Sequence, residues 1–552
     1  MTSCGSSPIA KQIRSSRLDR LDRLESSLTA ALERRKFWAL GAFSIAYFAI
    51  TAVLAWIKLL WNDELFTLYT AQLPTYSDIW SLLASGVEGM PPTFHILTRM
   101  FLRVFGVNPV ALRLPEILGV WVMSLCLFVI VSRRSSAPYG LIAMMLPMVT
   151  HVFYYATEAR SYGLVLGFAA LSLLCWQSVA DERRRLVTLV GLTAALAAAL
   201  ASHYYAVLIF FPLAAGEVTR TIVRRRLDPF VWLAFAVATI PLWVFSPLIQ
   251  SGRALSATFW AKPRWFAMVS FYQNLLARTA SGAIFLFIGI LLLLIIYAIV
   301  RSYLGVAPKP IAASWIPIDE VIAALGYLAL PALAVLLGKV ATGVFTDRYA
   351  MPAVLGLALI IPWGAYVILD RRATMGIVLA AALFSWFVVK DGIEPASTGH
   401  RELEGLHETF GFLEKEAPGQ WPLVIASPHL FFQFSHYAPP ELASRFVYLV
   451  DPAASVRYLK ADTAEHGIRE FRRWTPMSIQ DYRSYVRAHP RFLLYGETGQ
   501  WAWLLPDLMA TGARIQLVAV DGSTRLLLVD AAARSRDGLV DHPGNAPPRS
   551  SR

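Results

Sequence analysis

Asp63 and Glu64 end the stretch Trp61-Asn62-Asp63-Glu64 that follows residues 37–60, an apolar run whose single charge is Lys58 and which is long enough to cross about 30 Å of hydrocarbon as a helix. Carboxylates placed where a chain leaves the bilayer stay charged yet partly desolvated, a setting suited to general acid–base chemistry. Taken alone they also fit the ordinary charged end of a span. The case for chemistry rests on what else reaches the same level. Gly89-Met90-Pro91-Pro92-Thr93-Phe94-His95 lies in the same connection, and Glu158-Ala159-Arg160-Ser161-Tyr162 joins two later apolar runs with almost no loop. Ser202-His203-Tyr204-Tyr205 caps another pair, and residues 250–280 bring Arg253, Trp260, Lys262, Arg264, Tyr272 and Gln273. Thr346-Asp347-Arg348-Tyr349 opens a late run. Each motif also has a plain structural use: a hairpin ion pair for Glu158 and Arg160, interface residues in Asp347 and Arg348, a capping histidine in His203, an aromatic belt. Five separate connections nonetheless deliver acids, cations and aromatic rings to one end of the spans.

The elements that must position these groups follow from composition. With 552 residues, 56% hydrophobic content and 17 Trp, the chain is a polytopic α-helical membrane protein. A net charge of +13 does not imply nucleic acid, which needs its basic residues on one soluble face; here much of the excess sits in short connections between apolar runs. Cys4, Cys126 and Cys175 are far apart and form neither a disulfide framework nor a zinc site. Beyond residues 37–60, apolar runs occupy 113–132, 138–157, 161–180, two spans within 186–223, 229–249, 281–300, 317–338, 349–369 and 373–389, about eleven transmembrane helices in all. With the N-terminus in the cytoplasm, every internal connection is short and basic, carrying Arg133 and Arg134, Arg183 to Arg185, Arg220 and Arg224 to Arg226, Arg301 and Lys309, and Arg371 and Arg372. That is the positive-inside pattern, and an odd number of spans puts the C-terminal region outside. The basic tail, residues 1–36, leads into an uncleaved anchor; its Leu18, Leu21, Leu24 and Leu28 fit either a helix on the membrane surface or a solvated tail.

The first external loop, residues 61–112, has helix-like segments at 75–83 and 94–105 that suit the membrane interface. From about 395 the pattern changes to short strands at 422–427, 445–450, 491–495, 515–520 and 524–529, with helices such as 401–416 and 502–511 between them. This predicts a small extracytoplasmic α/β domain over 395–533, without a nucleotide-binding glycine fingerprint, and a disordered tail over 534–552.

The order of these motifs over residues 37–390 resembles the GT-C glycosyltransferases, closest to the bacterial relatives of protein O-mannosyltransferases and lipid A aminoarabinose transferase. The resemblance implies a GT-C transmembrane catalytic domain at the outer face of the bacterial cytoplasmic membrane, acting on glycolipid, lipopolysaccharide or protein of the envelope. Nucleotide sugars are not supplied there, so the donor is a sugar on a polyprenyl phosphate or diphosphate. A hexose or pentose would pass with inversion to a lipid, glycan or protein acceptor. By the same likeness Asp63 is the catalytic acidic residue, with Glu64 beside it and Glu158 a further acid of the site. Glu64 would disfavour double ionisation and raise one of the two pKa values. Arg348, Arg160, Lys262 and Arg264 would neutralise the leaving phosphate, and His203, Tyr204, Tyr162, His95, Asp347 and Tyr349 would contact substrate. A divalent cation, Mg or Mn, between carboxylates and phosphate is neither required nor excluded by the spacing. The Pro-Pro motif departs from relatives in continuing Thr-Phe-His. Two other readings compete: a transporter or lipid flippase with an external sensor domain, which predicts polar or broken helices near mid-membrane, and a non-catalytic assembly factor.

Overall fold

The computed structural model describes residues 8–182, 184–254, 256–276, 289, 316–417, 419, 421–496 and 503–532. Among these, six helices are long and apolar enough to cross a membrane: Ala30–Ile57, Pro109–Arg134, Tyr162–Ala180, Arg185–Ser202, Tyr204–Arg224 and Ala373–Lys390. Three further pairs, Ala137–Val149 with His151–Thr157, Pro229–Val244 with Ser246–Arg253, and Ile318–Leu328 with Leu330–Thr342, are bent by 73°, 60° and 51°, giving up to nine spans if each pair is one. Pro147, Pro247 and Pro331 lie beside the three bends, where a missing N–H and the ring clash break the helical ladder. Ala353–Ile368 is a shorter apolar helix. These elements fall on the expected runs, while most of the span expected at 281–300, together with Cys4, Arg183, Arg301, Lys309 and the tail from 534, lies outside the described residues. The basic tail and the first span form one continuous helix, Pro8–Ile57.

Helices Pro109–Arg134 and Tyr162–Ala180 approach more closely than side chains allow. A Cβ on Gly119 would stand 2.4 Å from the Gly163 carbonyl oxygen, and one on Gly167 would stand 2.5 Å from that of Gly119. Beside this contact, buried Glu116 accepts the Leu164 N–H at 2.8 Å and so pins the start of the second helix. The Glu158–Tyr162 hairpin is thereby held at a fixed height against the first.

At the opposite end of Pro109–Arg134, arginines expected only to orient the chain are built into the structure. Arg134 binds Glu320 and Asp181, and Gln177 donates to Glu320 at 2.9 Å. Arg220 joins Asp319 and Glu217, each at 2.8 Å, over the face of Trp176. These networks tie the helix ends together far from Asp63.

In the loop after the first span, helix Tyr76–Ala84 starts from a Thr75 cap, and helix Pro92–Phe105 buries Arg99 while exposing Met100, Val104 and Phe105. That is the polarity of a helix lying against lipid.

The C-terminal part forms a six-stranded sheet from β1 (Leu423–Ile425), β2 (Phe446–Val450), β3 (Ser478–Asp481), β4 (Arg491–Gly496), β5 (Arg514–Asp521) and β6 (Thr524–Asp530), in the order β3-β2-β1-β4-β6-β5. The first four strands are parallel, and the β5–β6 hairpin pairs antiparallel at the β4 edge, turning at Gly522 with φ of 56°. Alternate residues face opposite ways. Leu423, Ile425, Phe446, Tyr448 and Val450 join a core that also contains Leu65, Leu68 and Ile79 of the loop after the first span. Val424, Val447 and Leu449 face a second core around Trp503 and Leu504. The strand β3 was not expected; the other five fall on the short runs expected to be strands.

Gly119→Ala should lower stability by about 1–3 kcal/mol, because its methyl group must push two helices apart. Gly411→Ala, whose methyl group meets nothing within 4 Å on an exposed helix face, should raise it by about 0.5–1 kcal/mol. Thermal unfolding of the detergent-solubilised chain measures both.

Candidate active site

Asp63 stands in the first turn of helix Asn62–Ala71, and that helix is fixed at both ends. Its neighbour Glu64 is fully buried and forms a two-point ion pair with buried Arg113, Nε to Oε1 at 2.7 Å and Nη2 to Oε2 at 2.6 Å. The same guanidinium donates to the carbonyls of Ala55, Lys58 and Leu59 at the end of the first span, at 2.6, 3.0 and 3.2 Å. Glu64 also accepts the Ala159 N–H at 2.8 Å, and Thr67 donates to the Ala159 carbonyl at 3.0 Å, tying the helix to the Glu158–Tyr162 hairpin. At the far end Arg99 donates to the carbonyls of Leu73 and Pro74. Arg113 and Arg99 are therefore the anchors of the site.

So held, Asp63 opens onto a cavity of about 1430 Å³. Its Oδ2 lies 3.2 Å from Arg348 Nη1 and 3.8 Å from Arg160 Nε. Arg160 binds Glu88 as well, whose other oxygen lies 3.1 Å from His95 Nε2. Burial pushes the Glu88 carboxyl up, but Arg160 and His95 outweigh it and hold the group at about 2. Beside the arginines is an aromatic stack: Tyr162 and Tyr349 lie 5.4 and 5.0 Å from the His203 ring, and Tyr349 stacks on Tyr205 at 4.2 Å. Burial, Arg160 and Arg348 hold His203 down at about 3, so its neutral Nδ1 accepts the Tyr205 N–H at 3.1 Å. Trp61 Nε1, Arg160 Nε and Tyr204 OH, all of cavity-lining residues, are buried without a hydrogen-bond partner among the described residues. Buried polar groups are normally satisfied, and these are groups a polar ligand would satisfy.

The structure thus gathers Asp63, Arg160, Arg348, Lys262, Arg264, Tyr162, His203, Tyr204, Asp347 and Tyr349 around one cavity. Lys262 Nζ donates to the Ala257 carbonyl at 2.7 Å, and Asp347 accepts from Asn274 at 2.6 Å. Three expected residues are placed elsewhere. Glu64 is locked in its ion pair: burial raises its pKa, but Arg113, Lys58 and the Ala159 N–H pull it below the ordinary value, the reverse of the expected coupling to Asp63. Glu158 does not line the cavity; it is buried near Lys58, Glu64, Arg348 and Asp63, and burial lifts its carboxyl to about 7. His95 is fully buried beside Glu88 and Phe94, away from the cavity wall. Glu88 was missed, although a carboxylate three residues before Pro91-Pro92 was there to be read. No three His, Cys, Asp or Glu side chains converge on a metal site among the described residues. Asp63 and Glu88 instead face arginines, so this donor set does not fit a resident divalent ion.

Removing either partner of Glu64 and Arg113 strands a buried charge. Glu64→Ala and Arg113→Ala should each cost about 3–5 kcal/mol in thermal unfolding, with Asp63→Asn close to wild type. Glu158 has a raised folded-state pKa, so its share of stability is complete below the ordinary glutamate range and is lost as pH rises through about 7. Glu158→Gln should therefore melt above wild type at pH 8, and the difference should vanish at pH 4.5.

Residues 90–250 match the family described as dolichyl-phosphate-mannose-protein mannosyltransferase. The fold is similar to that of ArnT from Cupriavidus metallidurans in the apo state, with a TM-score of 0.54 at 13% identity over 90% of this chain and 99% of that one. It is equally similar to ArnT from the same organism bound to undecaprenyl phosphate, with a TM-score of 0.53 at 13% identity over 88% and 98% of the two chains. No curated protein matches the sequence. The match ties residues 90–250 to that mannosyltransferase family, and the chain as a whole shares the fold of ArnT.

Proposed function

We propose that the chain transfers a sugar from a polyprenyl-phosphate donor to a lipid, glycan or protein acceptor at the outer face of the bacterial cytoplasmic membrane, its N-terminus inside and its C-terminal domain outside. The observation that carries this is one acid, Asp63, held between Arg348 and Arg160 in a cavity that the span residues Val207, Leu242 and Leu337 also line. The ArnT structure that holds undecaprenyl phosphate has the same fold, which supports a lipid-borne donor.

In the reaction the acceptor oxygen attacks the anomeric carbon while the bond from that carbon to the phosphate oxygen breaks, with inversion. The hydroxyl proton goes to the Asp63 carboxylate, and the electron pair leaves with the polyprenyl phosphate. Charge accumulates on that phosphate in a poorly hydrated site, where fixed cations stabilise it most strongly. Arg348 and Arg160 stand nearest Asp63, and Lys262 and Arg264 line the same cavity. Tyr162, His203 and Tyr349 offer ring faces to the sugar, with Tyr204 and Asp347 as polar contacts. Glu158 acts indirectly, as a buried carboxyl whose ionisation would change the field at Asp63 and Arg348.

A transporter or flippase would use its helix breaks to bind cargo. Three broken pairs are present, yet no Asp, Glu, Lys or Arg lies within two residues of any bend. The breaks follow proline, while the charged groups cluster at one end with Asp63.

Asp63→Asn should reduce transfer by about 10²–10⁴ with expression and unfolding temperature unchanged. Mass spectrometry of envelope glycolipids and glycoproteins from cells with the wild-type gene, the variant and no gene reads the outcome. A hexose, pentose or aminopentose missing from one molecule in the last two strains identifies both substrates. Identical profiles in all three overturn the reading.

A further inference from the structure

We propose that the C-terminal domain forms the acceptor wall of the cavity and that His429 is a specificity-determining contact to the acceptor. This rests on the glycosyl-transfer reading above and assigns a part of the site to a domain that neither the family match nor the motif order covers.

The domain does not stand apart from the site. Helix Pro428–Tyr437 contributes His429 to the cavity lining, and helix Thr463–Phe471 contributes Thr463, Ala464, Gly467 and Ile468. Both are fitted against the chain around Asp63. Gln433 Nε2 donates to the Leu60 carbonyl at 3.1 Å, the Leu60 N–H donates to Tyr437 OH at 2.8 Å, and Tyr69 OH lies 2.9 Å from His436 Nδ1. Asp63 and Phe66 are three residues apart, on one face of their helix, and both line the cavity. Phe66 also packs on Phe432 and Phe471, with ring centroids 4.7 and 4.9 Å away. The domain therefore meets the cavity next to the carboxylate. Helix Thr463–Phe471 reaches both loops that border it: a Cβ on Gly467 would come within 3.1 Å of the Val87 carbonyl oxygen, one residue from Glu88, and the Asp462 N–H donates to the Thr258 carbonyl at 3.3 Å, four residues from Lys262.

Which substrate meets this wall follows from where each must enter. The donor's prenyl tail stays in the bilayer, so its phosphate belongs on the wall made by the spans, whose Val207, Leu242 and Leu337 line the same cavity as Arg348. In an inverting displacement the nucleophile and the leaving phosphate occupy opposite faces of the sugar carbon. The acceptor hydroxyl thus approaches from the side facing the domain. His429 has the chemistry to receive it there. Burial lowers its pKa against the pull of Asp63, and a neutral imidazole nitrogen can donate or accept one hydrogen bond with an acceptor hydroxyl.

The test uses the full chain in liposomes, sugar-loaded undecaprenyl phosphate from the host as donor, and a titrated extract of host envelope lipids and glycoproteins as acceptor. Affinity for undecaprenyl phosphate alone is measured in parallel by tryptophan fluorescence. His429→Ala should raise the extract concentration for half-maximal transfer about three- to tenfold, the loss expected for one hydrogen bond, with undecaprenyl phosphate affinity and maximal rate kept. His429→Gln, which retains a donor and an acceptor, should recover most of the loss. An unchanged acceptor titration in His429→Ala overturns the proposal, as does a parallel loss of undecaprenyl phosphate binding, which would put His429 on the donor side. A wild-type chain that binds undecaprenyl phosphate but moves no sugar fails the glycosyl-transfer reading itself.

Discussion

The buried ion pair between Glu64 and Arg113 is the constraint on which the site depends. One guanidinium gathers four segments of the chain: the last carbonyls of the first span, the first turn of the Asp63 helix, the helix that carries Arg113 itself, and through Glu64 the Ala159 backbone of the hairpin. Desolvating two such charges is expensive, and an apolar replacement of equal shape would often be as stable. What an apolar cluster could not supply is direction. A guanidinium fork and a carboxylate fix angles as well as distances, and four chain segments that must present Asp63 to Arg348 and Arg160 need both.

Adjacent carboxylates in one helical turn thus divide two roles that a single residue could not fill together. Glu64 faces inwards, has its oxygens occupied, and cannot exchange a proton without releasing the structure. Asp63, rotated about 100° around the same helix, faces the cavity and meets cations that can also meet a phosphate. The same division recurs in the hairpin. Glu158 is buried and Arg160, two residues on, lines the cavity and bridges Asp63 to Glu88. Glu158 sits near Arg348, a cation of the site, so changes in its charge are felt there, whereas Arg113 and Lys58, the cations around Glu64, stand outside the cavity lining.

Much of this was legible because the membrane sorts residues by coarse rules. Apolar run length gave the helices, and the strands β1, β2, β4, β5 and β6 showed as short apolar runs between helical stretches. The edge strand β3 did not, being four residues long with Ile479 alone buried. The convergence of Asp63, Arg160, His203 and Arg348 could be read from the end of the spans on which each lies. Which of two neighbouring acids turns inwards could not, since that depends on Arg113 arriving from 49 residues away. Nor could the burial of His95, or the networks of Arg134 and Arg220, because a basic residue at a span end reads alike whether it orients the chain or pairs inside it. Glu88 lacked a pattern of its own and acquires meaning only beside Arg160.

The Asp63 helix is held on one side by the spans and on the other by a helix of the C-terminal domain, through Phe66, Tyr69 and the Leu60 backbone. Such a short helix would be marginal alone, since ten residues barely exceed the costly nucleus. Its position is therefore set by the two bodies that grip it. A reaction between a substrate confined to the bilayer and one arriving from elsewhere has to be staged where those two bodies meet, and displacements near 1 Å at the reacting atoms are enough to cost about 10²-fold in rate. Seating the acid on an element clamped from both sides meets that tolerance, whereas a loop projecting from either side alone would not.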